Sequence, residues 1–229
     1  IQVYSVRDDA AADLRGTLEK IKEMGYDGVE FAGLYGNSPE DIRAMCDEIG
    51  LVPISAHVPF VDMLKNPYGL LADYAKIGCK YVAVPYLNPE HRPDNANFDY
   101  VVDFIEVLGK AAKSLGIQLL YHNHDFEFFV LPDGRFSLEA IYACAGDDLL
   151  QTEIDVCWAK TAGNDPAALV RKYPGRAPLV HLKDFSGIPE QSRYDNFGLK
   201  FTRPADAEPF SLQPVGRGCQ DIPAILAAA

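Results

Sequence analysis

The chain has no Cys-x-x-Cys pair. Its five cysteines, Cys46, Cys79, Cys144, Cys157 and Cys219, are odd in number and widely scattered, which excludes a disulfide scaffold and reads as reduced thiols filling a core. No apolar run reaches the roughly 18 residues that a membrane-spanning helix needs. There is no basic segment followed by an apolar one, so no signal peptide is read, and the cytoplasm is the expected location. The sequence starts at Ile1 rather than Met, so a few upstream residues, a signal segment among them, are left open. Basic residues are scarce: 21 Lys and Arg face 33 Asp and Glu, a formal charge of −12 with no Lys/Arg cluster. That balance repels nucleic-acid phosphates and anionic membranes, so neither is expected as a partner. Neither a Gly-x-Gly-x-x-Gly after the first strand nor a Gly-rich phosphate cradle is present, which disfavours a dinucleotide-binding open sheet and a phosphate site.

What is there is an ordinary globular composition, 48% hydrophobic and 24% charged, in 229 residues, enough for one large domain. Residues 1–6 alternate as a first strand before Arg7. Leu14, Leu18, Ile21 and Met24 then mark a helix over 11–24. Strands are expected at 26–31, 51–57, 81–85, 116–122, 150–158 and 178–183, with helices at 38–49, 67–77, 98–115, 138–145 and 165–173. Four times a helix gives way to Gly and an apolar strand, at Gly25, Gly50, Gly78 and Gly116. Recurring βα units point to a parallel sheet, and to a closed barrel before a doubly wound open sheet. Residues 185–218 form a long loop of the kind used as lids or binding loops. A helix starts at Asp221. This makes seven strands, with an eighth strand and helix apparently absent from the chain, so the single domain 1–229 is expected to be C-terminally incomplete.

Three of the strands end in polar chemistry. The densest run is Tyr121-His122-Asn123-His124-Asp125-Phe126-Glu127, after an apolar strand; Glu153-Ile154-Asp155-Val156-Cys157-Trp158 and Val180-His181-Leu182-Lys183-Asp184 repeat the form. His122 and His124 stand two apart and share one side of a strand, either pocket or surface. Asp155 is open to a ligand or a loop cap, His181 to a ligand or a core histidine, and Lys183 to a pocket cation or a pair with Asp184. Glu30, His57 and Tyr4 also sit at strand ends. Trp158 and Phe60 suit either a sugar floor or the core.

Gln2-Val3-Tyr4-Ser5-Val6-Arg7, Tyr26-Asp27-Gly28-Val29-Glu30, the His122–Glu127 run, Ile154-Asp155, Val180–Asp184 and Val215-Gly216-Arg217-Gly218 together resemble the sugar-phosphate isomerase/epimerase family of xylose isomerase-like barrels. Inosose dehydratases, tagatose-type epimerases and type IV endonuclease relatives share that family. The resemblance implies a (β/α)8 TIM barrel holding one divalent metal on a Glu, an Asp, a His and a strand-eight Glu. It places Asp155 and His181 as the second and third ligands. His122 aligns with the usual first Glu, while Glu127 follows five residues later, and both remain candidates. Mn²⁺ ranks first for such a mixed set, with Co²⁺, Zn²⁺ and Mg²⁺ as alternatives.

The ion would take two adjacent oxygens of a hydroxy-ketone and favour the enediolate formed when the neighbouring proton leaves. Glu127 or His122 would serve as acid or base and Lys183 as a cation for the oxyanion, with His57, His124, Glu30, Trp158 and Arg217 toward substrate. Arg217 replaces the Glu of a Gly-Glu-Gly common in relatives. The expected activity is a metal-dependent sugar or keto-sugar isomerase or epimerase. Its alternatives are a lyase or dehydratase using the same intermediate and a non-catalytic sugar-binding barrel. The charge of −12 opposes an endonuclease. The expected partner is a small-molecule sugar, and a homo-oligomer is compatible with the sequence.

Overall fold

The computed structural model describes residues 1–189 and 204–229. Their contacts separate into two compact units, 1–85 with 106–120 and 86–105 with 121–229. Among the described residues, no helix is long and apolar enough to cross a membrane.

In the first unit α1 (Arg7–Ala12) and α2 (Leu14–Glu23) precede β1 (Gly28–Ala32), α3 (Pro39–Ile49), β2 (Val52–His57), α4 (Phe60–Lys65), α5 (Pro67–Ile77) and β3 (Tyr81–Val84). The unit also takes the end of α6 (Phe98–Ser114) and the first three residues of β4 (Gln118–His122). Its strand order is β1-β2-β3-β4, with parallel ladders such as Ala32↔His57 and His57↔Ala83. Val29, Phe31, Ala56 and Val82 are fully buried in it.

Helix boundaries follow side-chain chemistry. Ser38 accepts from Asp41 N (3.1 Å) and Pro39 opens α3, while Gly50 closes it in the left-handed region at φ 78°, where a Cβ would cost about 1 kcal/mol or more. Asn66 and Gly78 do the same for α5. The single helix expected over 11–24 is two helices, because Asp13 leaves helical geometry (φ −154°, ψ 92°) and its carboxylate caps α2 through Gly16 N.

The first strand is a correction. Residues Val3–Val6 form a 3-10 turn, closed by Ser5 N donating to Gln2 O at 3.1 Å, and only Gln2 bridges to Glu30. Of the strand expected over 1–6, the bridge at Gln2 is what remains, and the local turn takes Val3–Val6.

The second unit contains the start of α6, the last two residues of β4, α7 (Ser137–Ala143), β5 (Leu150–Asp155), α8 (Val156–Thr161), α9 (Pro166–Lys172), β6 (Leu179–His181) and α10 (Ile222–Leu226). Its parallel order is β4-β5-β6, with Glu153↔Leu179 and Asp155↔His181 in register. Arg176 locks the approach to β5: its guanidinium donates to Tyr142 O (2.7 Å) and Leu150 O (2.9 Å), and its carbonyl accepts from Thr152 N (2.8 Å). The parallel βα alternation in both units is that of the expected β/α barrel.

Two further boundaries differ from expectation. Strand β5 ends at Asp155 instead of running to Trp158, because the Asp155 carboxylate caps α8. The long loop over 185–218 carries an antiparallel hairpin, β7 (Asp184–Ser186) with β8 (Ser211–Gln213), in its described parts; residues 190–203 lie outside the described residues.

Candidate metal and substrate site

Side chains alternate across a strand, and β5 and β6 use this to separate packing from chemistry. Ile154 is fully buried, and Val180 and Leu182 pack on the cluster it forms with Val156, Ala167, Val170 and Ile225. Glu153, Asp155 and His181 therefore fall on the other face. There, ligand atoms of His122, Glu153 and His181 lie within 4.8 Å of one another. His122 Nδ1 is 3.2 Å from Glu153 Oε2, His181 Nε2 is 3.4 Å from Glu153 Oε1, and His122 Nε2 is 3.6 Å from Asp155 Oδ2. His122 thus stands between two carboxylates, so a metal on one ring nitrogen leaves the other to donate to the remaining acid, the usual way such a ring is oriented. Both carboxylates are fully buried, and two imidazoles with two carboxylates suit the ions named above. The donor chemistry therefore fits a divalent metal.

Asp155 and Lys183 form an ion pair, Oδ2 to Nζ at 2.6 Å. Lys183 is thus turned to Asp155, and the neighbouring Asp184 has a different task. Its Oδ2 accepts from Gly216 N and Gly218 N (2.9 Å each) and its Oδ1 from Phe185 N (2.9 Å) and Gln220 N (3.1 Å). Burial pushes the Asp184 carboxyl up, but these four N–H groups outweigh it and hold it below the usual range. The turn they shape presents Arg217, which is exposed. Gly218 is obligatory there, since a Cβ would stand 2.3 Å from Asp184 Oδ1 and from Phe185 O.

Glu127 is wholly buried and lies apart from the His122–Glu153–His181 contacts just given. Its Oε1 accepts from Tyr121 Oη (2.7 Å), its Oε2 from His124 N (2.8 Å), and its carbonyl from Ser137 Oγ (2.7 Å). Burial pushes it up to about 7, against the Tyr121 and His124 donors that favour the carboxylate. It fixes the peptide of His124, whose ring lies 5.1 Å from His122, 5.4 Å from Trp158 and parallel to Phe126 at 5.7 Å. Trp158 stacks in turn on Phe210 at 6.1 Å. This partly exposed aromatic row suits the C–H face of a sugar.

Glu30 and His57 meet in the first unit, His57 Nε2 lying 3.2 Å from Glu30 Oε1, and Gln2 Nε2 donates to Glu30 Oε1 at 2.8 Å. Tyr4 is exposed, and Phe60 is core at 1% exposure. Glu153 was missed as a site residue by the sequence reading. Its signal is the two-residue spacing to Asp155, which places both acids on one strand face.

A family model described as a xylose isomerase-like TIM barrel matches residues 18–229. An inosose dehydratase of Geobacillus kaustophilus is 24% identical over 192 residues, 73% of this chain; the chain spans 60% of that curated relative. A solved sugar phosphate isomerase/epimerase of Parabacteroides distasonis superposes with a TM-score of 0.67 at 26% identity, over 79% of this chain and 76% of that one. A xylose isomerase-like TIM barrel protein of Mycobacterium smegmatis, solved in complex with magnesium, gives 0.64 at 18% identity over 95% and 78%.

Proposed function

Since the chain belongs to the xylose isomerase-like TIM barrel family, we propose that it is a sugar-modifying enzyme, specifically a divalent-metal-dependent isomerase or epimerase of a sugar or keto-sugar. The observation that carries this reading is the set of His122, Glu153, Asp155 and His181 at the C-terminal ends of three parallel strands, the end where β/α barrels keep their active sites. A metal held there, Mn²⁺ before Mg²⁺, Co²⁺ or Zn²⁺, would supply Lewis acidity that acidifies the C–H beside a carbonyl.

The protein's own groups do the rest. Lys183 Nζ places a positive charge beside Asp155, suited to a substrate oxygen that gains negative charge. His124 and Trp158 offer ring faces to the sugar. Glu127, raised by burial to about 7, accepts from Tyr121 Oη and His124 N and so holds the His124 peptide at 2.8 Å. Arg217, on the Asp184 turn, is suited to a polar or anionic substituent.

A lyase or dehydratase is the second reading, favoured by the likeness to an inosose dehydratase. The test is reaction of the Mn²⁺-loaded protein with keto-sugars in deuterated water. Deuterium gained at the carbon beside the carbonyl, with no group lost, supports the isomerase; release of water or an aglycone supports the lyase. Sugar binding by protein that takes up no metal would overturn both in favour of a binding barrel.

A further inference from the structure

Asp155 is wholly buried, and its two oxygens are engaged differently. Oδ1 accepts from Cys157 N (2.9 Å) and Trp158 N (3.0 Å), so the first turn of α8 sets the plane of the carboxylate. Oδ2 meets Lys183 Nζ at 2.6 Å and His122 Nε2 at 3.6 Å. Lys183 follows the end of β6, and its backbone N–H donates to His181 O at 2.9 Å, so its stem rises from the strand end that carries His181. An ammonium and a metal ion seek the same lone pairs on Oδ2. Beside a fully buried carboxylate, two positive charges a few ångströms apart repel.

Resting on the metal reading above, we propose that Lys183 is a tethered counter-ion of the metal site. It neutralises Asp155 until a divalent cation arrives, gives up Oδ2 to that cation, and thereby swings its Nζ free for the substrate oxygen. Metal loading and presentation of the Lys183 charge are then one event. The coupling is reciprocal: whatever draws Lys183 away from Asp155 tightens metal binding, and bound metal loosens Lys183. A carboxylate left without its ammonium is costly to bury, which is why the chain needs a cation of its own at this position.

The test is calorimetric titration of Mn²⁺ into the metal-stripped full chain, as wild type and as Lys183→Met, Lys183→Gln and Lys183→Arg. Lys183 is 31% exposed, so these changes remove little packing; the uncharged variants leave Asp155 buried without its ammonium, and circular dichroism of each variant, with Lys183→Arg keeping the charge, checks the fold. Loss of the ammonium in Lys183→Met and Lys183→Gln should tighten Mn²⁺ binding on the order of ten-fold or more, with Lys183→Arg close to wild type. Wild-type affinity, or weaker, in both uncharged variants would overturn the counter-ion role, while the metal reading stands on the wild-type titration. Absence of Mn²⁺ uptake by wild type and variants alike would overturn the metal reading, and this proposal with it.

Discussion

The two faces of β5 and β6 are built from the same nine residues and behave as different materials. On one, Ile154 and Val180 are covered by α9 and α10 in a closely packed apolar cluster. On the other, one residue along, the fully buried carboxylates of Glu153 and Asp155 crowd against the imidazoles of His181 and His122. Apolar burial is non-directional and resists loss of volume, whereas buried ionisable groups stabilise only while each has its partner. One face therefore holds the fold together and the other draws on that stability, so damage to the two should be separable.

The largest effect is expected from Ile154→Ala, which should cost about 2–5 kcal/mol through the cavity it leaves. Urea unfolding measures this, and Mn²⁺ affinity of the folded fraction should not change. The converse substitutions, Glu153→Gln and His181→Ala, should weaken Mn²⁺ binding by at least about 10- to 100-fold while the urea midpoint stays near wild type. A parallel loss of stability would mean that the polar face is part of the packing after all.

Glu127 gives a pH-dependent form of the same contrast. Its folded pKa of about 7 lies above the unfolded value of about 4.3. The folded state therefore binds that proton more tightly, and the stability Glu127 contributes is present below the lower value and is lost as pH rises through the higher one. Glu127→Gln should flatten this slope between pH 5 and 8 by about 1–3 kcal/mol, read from urea midpoints across that range. Asp184 has the opposite sign, its folded pKa being depressed, so its contribution is present at neutral pH and fades in acid. The smallest effect belongs to the apolar side: Asp165 caps α9 through Ala167 N (2.9 Å) and Ala168 N (3.2 Å), and Asp165→Ala should cost about 1 kcal/mol in the same unfolding assay.

Elements marked by capping chemistry were readable in the sequence. Ser38-Pro39 and Gly50 bracket α3, and α5 falls at the 67–77 expected for it, because an Asx or Ser oxygen and a left-handed Gly act locally. The parallel βα order followed from the repetition of such signals. Where a residue serves two ends, the boundary is harder to read: the strand expected over 150–158 stops at Asp155, whose carboxylate ends β5 and begins α8.

The site was half legible for the same reason. Strand-end positions and resemblance named His122, Asp155, His181 and Lys183 as candidates, and the structure brings their side chains close together. The pairing of Lys183 with Asp155 needed the register of β5 on β6, a long-range fact. Glu153 was hidden because attention to strand ends passes over the residue two places inside, although alternation assigns it to the same face. Asp184, adjacent to Lys183 and easily taken for its partner, is occupied by the backbone of a turn some 30 residues later.

The divided engagement of Asp155 bears on how this chain can drift. Asparagine at 155 keeps the oxygen that starts α8 and surrenders the charge facing Lys183 and His122, whereas glutamate keeps the charge and displaces the cap by a methylene. A lineage passing through asparagine would thus retain the α8 cap while losing the ion pair with Lys183. Such a sequence would still read as a member of the family, and the single letter at 155 would tell whether the pair with Lys183 is kept.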